Sequence, residues 1–522
     1  MGALDTLLST SGQTDALPPT RAEAVATELG SAAGLAIAPA SIVARDGVVG
    51  CWAQRGRDAF LTLVSLERLP PQFSGSPWTT RVDGKAVTLL LCPLTHSNAA
   101  ALRAWLPFMA PQAVGLRKSM GCGDRLGLAT PGHVRAVRHG QLFPIFAQQS
   151  IREMTRTGRT PAEVMDDATW GVFRAGWRGG FGADADHLKT TDDIERCVQA
   201  GFVLYTIDPG DHVQDDADTS PPDTLRTRFE QLPWDDLETT TQDVRRRYLG
   251  RPLEAGDIRL AFDEASLWRA AVKYGRAVAH TVRMVRHLAS HWPADAPPWE
   301  LEVSVDETAS PTSPAEHYFV ASELRRLGIR PVSLAPRFVG RFEKGVDYIG
   351  DLAEFEAQFR QHVAVAQALG PYKISLHSGS DKFSIYPIAA RLAGELVHVK
   401  TAGTSYLEAL RAIAQVEPSL FREILGFALA RYPIDRQSYH VSADTARVPD
   451  PAGLTDDDLA TVLDSFDGRQ VLHVTFGSVL TNRDEDGSYR FRDRLLAALR
   501  ANEEVHHAAL ERHFVRHIAP FG

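Results

Sequence analysis

Carboxylates, imidazoles and amines gather at the ends of short apolar runs along this 522-residue chain. One run reads Gly182-Ala183-Asp184-Ala185-Asp186-His187-Leu188-Lys189-Thr190, and another, Thr206–His212, carries Asp208, Asp211 and His212. Both combine carboxylates with a histidine, the donor types that a divalent cation takes. In Glu302–Thr308, period-two alternation puts Glu302, Ser304 and Asp306 on one face, with Glu307 at the rim; alternation does not decide which carboxylate coordinates. Lys373, Ser375 and His377 share a face and run into Ser378-Gly379-Ser380-Asp381-Lys382 ahead of a helical pattern, an arrangement suited to a metal and an oxyanion. His398–Thr404 presents Lys400 and Thr401 where another helix begins, a place for a substrate carboxylate to dock. A last run, Gln470–Phe476, reads as a strand with His473 and Thr475 on one face. Such a set could hold a cation against a carbonyl, move a hydroxyl proton and grip an anion. Lys189, Lys382 and Lys400 could equally be solvated or paired with nearby aspartates.

The elements that must position these groups follow from the pattern. The expected strands are Arg125–Thr130, Gly180–Asp186, Phe202–Asp208, Glu300–Asp306, Arg330–Ala335, Tyr372–His377, Leu396–Lys400 and Gln470–Phe476, most of them followed by a helical pattern such as Pro314–Leu327. Strand and helix in regular alternation predict an α/β protein, a (β/α)8 TIM-like barrel, with a doubly wound open sheet as the competitor. Ahead of it, alternating runs and the turn Arg45-Asp46-Gly47 indicate a small α+β domain over residues 1–115, leaving 116–522 for the barrel. A helical insertion is expected at about 215–298, able to form a lid or a contact between copies in a homo-oligomer.

Composition narrows the function. A net charge of -9 gives no general attraction to nucleic acid or to an anionic membrane. The four cysteines are widely spaced, so reduced thiols in a cytoplasmic protein are expected rather than a disulfide or zinc framework. Neither a G-x-G-x-x-G after a strand nor a phosphate-binding G-x-x-x-x-G-K-[ST] occurs. His506, His507 and the cluster His513–His517 read as the solvated face of an Arg/Glu-rich helix.

The uninterrupted run Lys373–Pro387 resembles the signature of tagaturonate epimerases, as do Gly182–Thr190, Ser304–Thr308 and His398–Thr404, and the resemblance extends from about Gly121 to the carboxyl end. It implies a divalent-metal enzyme, using Mn2+, Zn2+ or Ni2+, that interconverts D-tagaturonate and D-fructuronate in hexuronate breakdown. In these ketohexuronates the inverted carbon is β to the ketone, so simple enolisation cannot invert it. Retro-aldol cleavage can, giving an enediolate and an aldehyde that turns before the bond reforms. Transient oxidation by a nicotinamide is the other route, disfavoured by the missing dinucleotide motif. From the chemistry of the residues, His187, Glu307, His377 and His473 are expected to hold the metal. Asp186, Asp208 or Asp306 would move the hydroxyl proton, and Lys189, Lys382 and Lys400, with Asp381 and Thr401, would meet the substrate. A class II-type sugar-acid aldolase and a non-catalytic sugar-acid-binding barrel are the alternatives.

Overall fold

The computed structural model describes residues 3–522 apart from 10, 15, 83, 257 and 295. The amino-terminal segment forms an antiparallel sheet of β1 (Ala36–Ile37), β2 (Val43–Arg45), β3 (Val48–Arg55), β4 (Asp58–Ser65), β5 (Ser76–Val82) and β6 (Lys85–Pro93), ordered β1-β3-β4-β6-β5 with β2 on β3. Asp46 and Gly47, at φ 49° and 76°, close the β2–β3 hairpin, the left-handed pair that a two-residue turn needs. Alternation then sorts the faces of β3. Val49, Cys51 and Ala53 pack under the helix Pro19–Ala33, while Val48 and Trp52 join the large core shared with the rest of the molecule.

The eight-stranded barrel expected from the alternation is present. Its strands are β7 (Ser119–Cys122), β8 (Phe143–Ser150), β9 (Gly182–Leu188), β10 (Leu204–Ile207), β13 (Glu300–Val305), β14 (Ser333–Pro336), β15 (Lys373–Leu376) and β16 (Val397–Thr401), all parallel, each pairing with the next and β16 closing on β7. Outward residues such as Val303, Ile374 and Val399 are buried against the helical layer, each contributing roughly 1.5–3 kcal/mol of apolar burial. Inward positions, which most barrels of this kind fill with branched apolar residues, are polar here: Asp184, Thr206, Glu302, Ser333, Lys373, Ser375, His398 and Lys400 are all buried.

Two expected strands are corrected. Arg125–Thr130 is the turn after β7, wrapped around Asp124, whose carboxylate accepts from the backbone N–H groups of Leu126, Gly127 and Ala129 before the helix Thr130–Val137 begins. Gln470–Phe476 spans the helices Phe466–Val474 and Phe476–Thr481, the first capped by Ser465. The two barrel strands missing from the expectation are β7, just ahead of the expected Arg125–Thr130, and β8.

Between β10 and β13 stand the helices Pro222–Glu230 and Thr241–Tyr248, the small hairpin β11 (Leu253–Ala255) and β12 (Ile258–Leu260), and the 28-residue helix Glu264–His291. The long helix packs beside Thr191–Ala200 and Pro314–Arg326, where a barrel helix would stand. At the other seam, Glu503–Ile518 packs on Thr130–Val137 and Thr404–Val416. His506, His507, His513 and His517 are therefore buried, not solvated, because this helix is wedged between two others. The cysteines are buried and separate, and no described helix is long and apolar enough to cross a membrane.

Candidate active site at the carboxyl end of the barrel

Lys400, projecting from β16 into the lumen, organises the site. Its ammonium lies 2.8 Å from Asp184 Oδ2, 2.6 Å from Asp186 Oδ1 and 2.7 Å from Glu302 Oε1, and it donates to Thr206 Oγ1 at 2.7 Å. The carboxylates come from β9 and β13 because alternate residues of those strands face inward. Gln148 at the end of β8 donates to Asp186 Oδ2 at 3.0 Å.

Above this layer His187, Asp306 and His377 bring one donor atom each within 4.8 Å of one another. His187, held at φ 54°, has Nδ1 2.7 Å from Asp186 Oδ1 and Nε2 3.8 Å from Asp306 Oδ1. His377 has Nε2 2.6 Å from Glu302 Oε1 and Nδ1 3.0 Å from Asp306 Oδ1. Each imidazole thus uses one nitrogen on a buried carboxylate and turns the other toward Asp306, the way metal-binding histidines are oriented by outer carboxylates. Ser304 also donates to Asp306. Two imidazoles and one carboxylate suit a divalent transition ion with open positions for substrate.

The electrostatics reflect an excess of negative charge: Asp184, Asp186 and Glu302 surround one lysine, and Asp306 adds a fourth carboxylate against His377. Burial alone would lower His377, but Asp306 and Glu302 outweigh it and hold the ring at about 9. His187 is likewise held well above its ordinary value against burial, mainly by Asp186. Burial raises Asp184 to about 6, opposed by Lys400. Burial also raises the Asp208 carboxyl, whose Oδ2 has no hydrogen-bond partner.

The other expected residues stand around this trio, some in the same pocket and some behind it. Glu307 lines the pocket but forms a two-pronged pair with Arg152, 2.7 Å at its closest. His473 reaches the same pocket from its helix rather than from a strand; it packs against Gly345 and Gly403 and stays neutral through burial and the nearby Arg125 and Lys344. Lys382 is buried beneath the mouth, its ammonium donating to the backbone carbonyls of Glu343, Val346 and Ser380. Asp381 turns toward the carboxyl-terminal helix, meeting His513 and, at 2.8 Å, Arg469. Thr401 donates to Gly121 O at 2.6 Å, tying β16 to β7. Lys189 stands at the rim, 2.8 Å from Asp211 and 3.6 Å from Asp208.

Sequence reasoning missed Arg125, Arg152, Lys344 and Tyr439, which line the pocket from loops and short helices. Loop residues carry no periodicity, and only the fold brings them to the mouth.

A profile of the tagaturonate epimerase family matches residues 41–521. The tagaturonate/fructuronate epimerase of Thermotoga maritima is 44% identical over 458 residues, covering 88% of this chain and 91% of that protein. The fructuronate-tagaturonate epimerase of Cohnella laeviribosi, in its native crystal structure and in one with glycerol, is 34% identical with a TM-score of 0.87, covering 96% of this chain and 99% of that one. Since the profile and the shared sequence both run through the barrel and its polar mouth, the chain belongs to the tagaturonate epimerase family.

Proposed function

We propose that the protein inverts the β carbon of a ketohexuronate, interconverting D-tagaturonate and D-fructuronate by retro-aldol and aldol steps, with a divalent cation held by His187 Nε2, His377 Nδ1 and an oxygen of Asp306. The observation that carries the reading is the convergence of these three donors while Asp186 and Glu302 hold the outer imidazole nitrogens. The excess of carboxylates around Lys400 is compatible with added positive charge. This donor set takes Asp306 in place of Glu307 and His473.

The cation would polarise the substrate ketone and stabilise negative charge developing on it. The residues do the rest. Glu307 faces the pocket, lies outside the donor set and takes the hydroxyl proton as the carbon–carbon bond opens. Arg152, paired with it, holds the carboxylate in place, and His187 and Arg152 together outweigh burial and keep it ionised. Asp186 is committed to Lys400, His187 and Gln148 and acts as an orienting group. Cleavage between the α and β carbons leaves the enediolate half with the ketone oxygen and the aldehyde half with the carboxylate, and rotation of the aldehyde before closure inverts the centre.

Incubation with D-tagaturonate and added Mn2+, Zn2+ or Ni2+, with an EDTA control, followed by NMR, tests this. Metal-dependent D-fructuronate is expected. Accumulating three-carbon fragments would instead make the protein an aldolase, and unchanged sugar under every metal would reject turnover of this substrate.

A further inference from the structure

We propose that Lys344, with Arg125 and the amino end of the helix Thr404–Val416, anchors the carboxylate of the substrate, and that this anchor retains the aldehyde half while the carbon–carbon bond is open. The inference rests on the reaction proposed above and deepens it.

Lys344 belongs to the loop after β14, and its side chain lines the pocket. Its ammonium donates to Ser378 Oγ at 2.7 Å and, among the described residues, reaches no carboxylate. The fully buried lysines are better satisfied. Lys400 has three carboxylates, Lys273 has Asp218 and Glu316, Lys382 has three carbonyls, and Lys373 has Ser119 Oγ and Arg117 O. Half-buried at the pocket wall with Ser378 as its one protein partner among the described residues, the Lys344 ammonium keeps donors free for an anion that displaces water. Burial and the neighbouring Arg152 accordingly lower its pKa.

Arg125 adds a second unfilled donor. Only 3% exposed, it directs Nε and Nη2 to Glu153 and leaves the buried Nη1 without a partner. Its guanidinium is fixed 3.6 Å over the Phe476 ring. The third element is the start of Thr404–Val416, which has Gly403 at its cap and no side chain accepting from its first N–H groups. A Cβ at Gly403 would fall 1.7 Å from His473 Nε2, so only glycine admits the imidazole against the helix start. Buried between these groups, neutral His473 competes for no anion and keeps Nδ1 unpartnered. One ammonium, one guanidinium N–H and a helix start present a small planar monoanion with charge-assisted donors, the recognition that a carboxylate needs.

The location fits the chemistry. Ser378, the partner of Lys344, directly follows His377, so the anchor stands one residue from the proposed metal donors. A ketohexuronate spanning the two places its ketone at the metal, its carboxylate at Lys344 and the breaking bond between them. After cleavage the aldehyde half carries the carboxylate. Held there, it can turn about its own carbon–carbon bond without leaving. Tethering this half is what separates an epimerase from an aldolase on otherwise identical bond chemistry.

The test compares Lys344→Met and Lys344→Arg with the parent, all loaded with metal. For Lys344→Met, kcat/KM on D-tagaturonate should fall on the order of 10- to 100-fold, the cost of a charge-assisted contact. The fraction of turnovers releasing three-carbon fragments should rise, and any activity on neutral D-tagatose should change less than about threefold. Lys344→Arg should recover part of the hexuronate activity. Equal losses on both sugars, or no loss on the hexuronate, would overturn the anchor. D-glycerate, which carries the same carboxyl-terminal fragment in unreactive form, separates this from failure of the proposed reaction. If the parent turns over no hexuronate but binds D-glycerate by calorimetry and Lys344→Met does not, the anchor stands without the reaction. Equal D-glycerate binding by both, or by neither, rejects it.

Discussion

Two clusters of buried charge meet at the segment His377–Lys382, and they are built on opposite terms. On one side, Lys400 is outnumbered by Asp184, Asp186, Glu302 and Asp306, and the cluster opens through His187 and His377 into the pocket. On the other, Asp381 and Glu408 are matched by Arg469 and Arg411, with His513 touching both carboxylates. Ser378 and Asp381, at φ 48° and 62°, turn the chain sharply enough for His377 to serve the first cluster and Asp381 the second. Both combine aspartate, glutamate and histidine with a cation, lysine in the first and arginine in the second. What differs is charge balance: an excess facing a cavity invites a ligand, whereas a matched set under a helix fastens that helix to the barrel.

The largest effect should come from the open cluster. His377→Ala removes one proposed metal donor, and kcat is expected to fall on the order of 100- to 1,000-fold together with bound metal, while the circular dichroism spectrum stays that of the parent. Metal content measured on the purified variant decides it. Full occupancy with lost activity would remove His377 from the donor set and leave it an orienting group only.

The matched cluster should fail in the opposite way. Asp381→Asn strips a carboxylate from Arg469 and His513 and should cost about 3–5 kcal/mol of stability, read by denaturant unfolding. Burial would raise the Asp381 carboxyl, but Arg469 and His513 outweigh it and hold it well below the usual carboxylate range. As pH falls, the unfolded chain then binds the proton first, so this stabilisation is full above about pH 4 and drains away below it. The deficit of the asparagine variant should therefore be largest near neutrality and shrink in acid. A deficit independent of pH would mean that the carboxylate charge contributes nothing there.

Both clusters were partly legible beforehand. The strand ends at Asp186, Asp306, His377 and Lys400 stood out because period-two alternation carries polar residues into a lumen that is usually apolar. Strand β8 was hidden by Pro144, which argues against an interior strand, and by its polar end Gln148-Gln149-Ser150. His473 was placed on a strand because Val471-Leu472-His473-Val474 fits either period at that length; the capping Ser465 was the overlooked sign of a helix. In the last helix, His506, His513 and His517 fall on the stripe of Ala509, Leu510 and Phe514, so helical spacing already marked them as inward. Lys344 and Arg125 had no such mark, since tertiary structure alone sets where a loop side chain arrives.

Lys189 belongs to neither cluster and sharpens the contrast between them. Its side chain is 37% exposed, and its nearest partner, Asp211, is 71% exposed. Such a rim pair contributes about 0–1 kcal/mol, so Lys189→Met should leave the unfolding midpoint close to that of the parent. Its ammonium is also 3.6 Å from the buried Asp208, so removal withdraws a nearby positive charge from that carboxyl and should raise its pKa further. If Asp208 takes no part in proton transfer, kcat/KM on D-tagaturonate should change less than about threefold. A KM raised tenfold at constant kcat would put the substrate carboxylate at Lys189 and move the anchor away from Lys344. A fall in kcat with KM unchanged would bring Asp208, rather than Glu307, into the proton transfer.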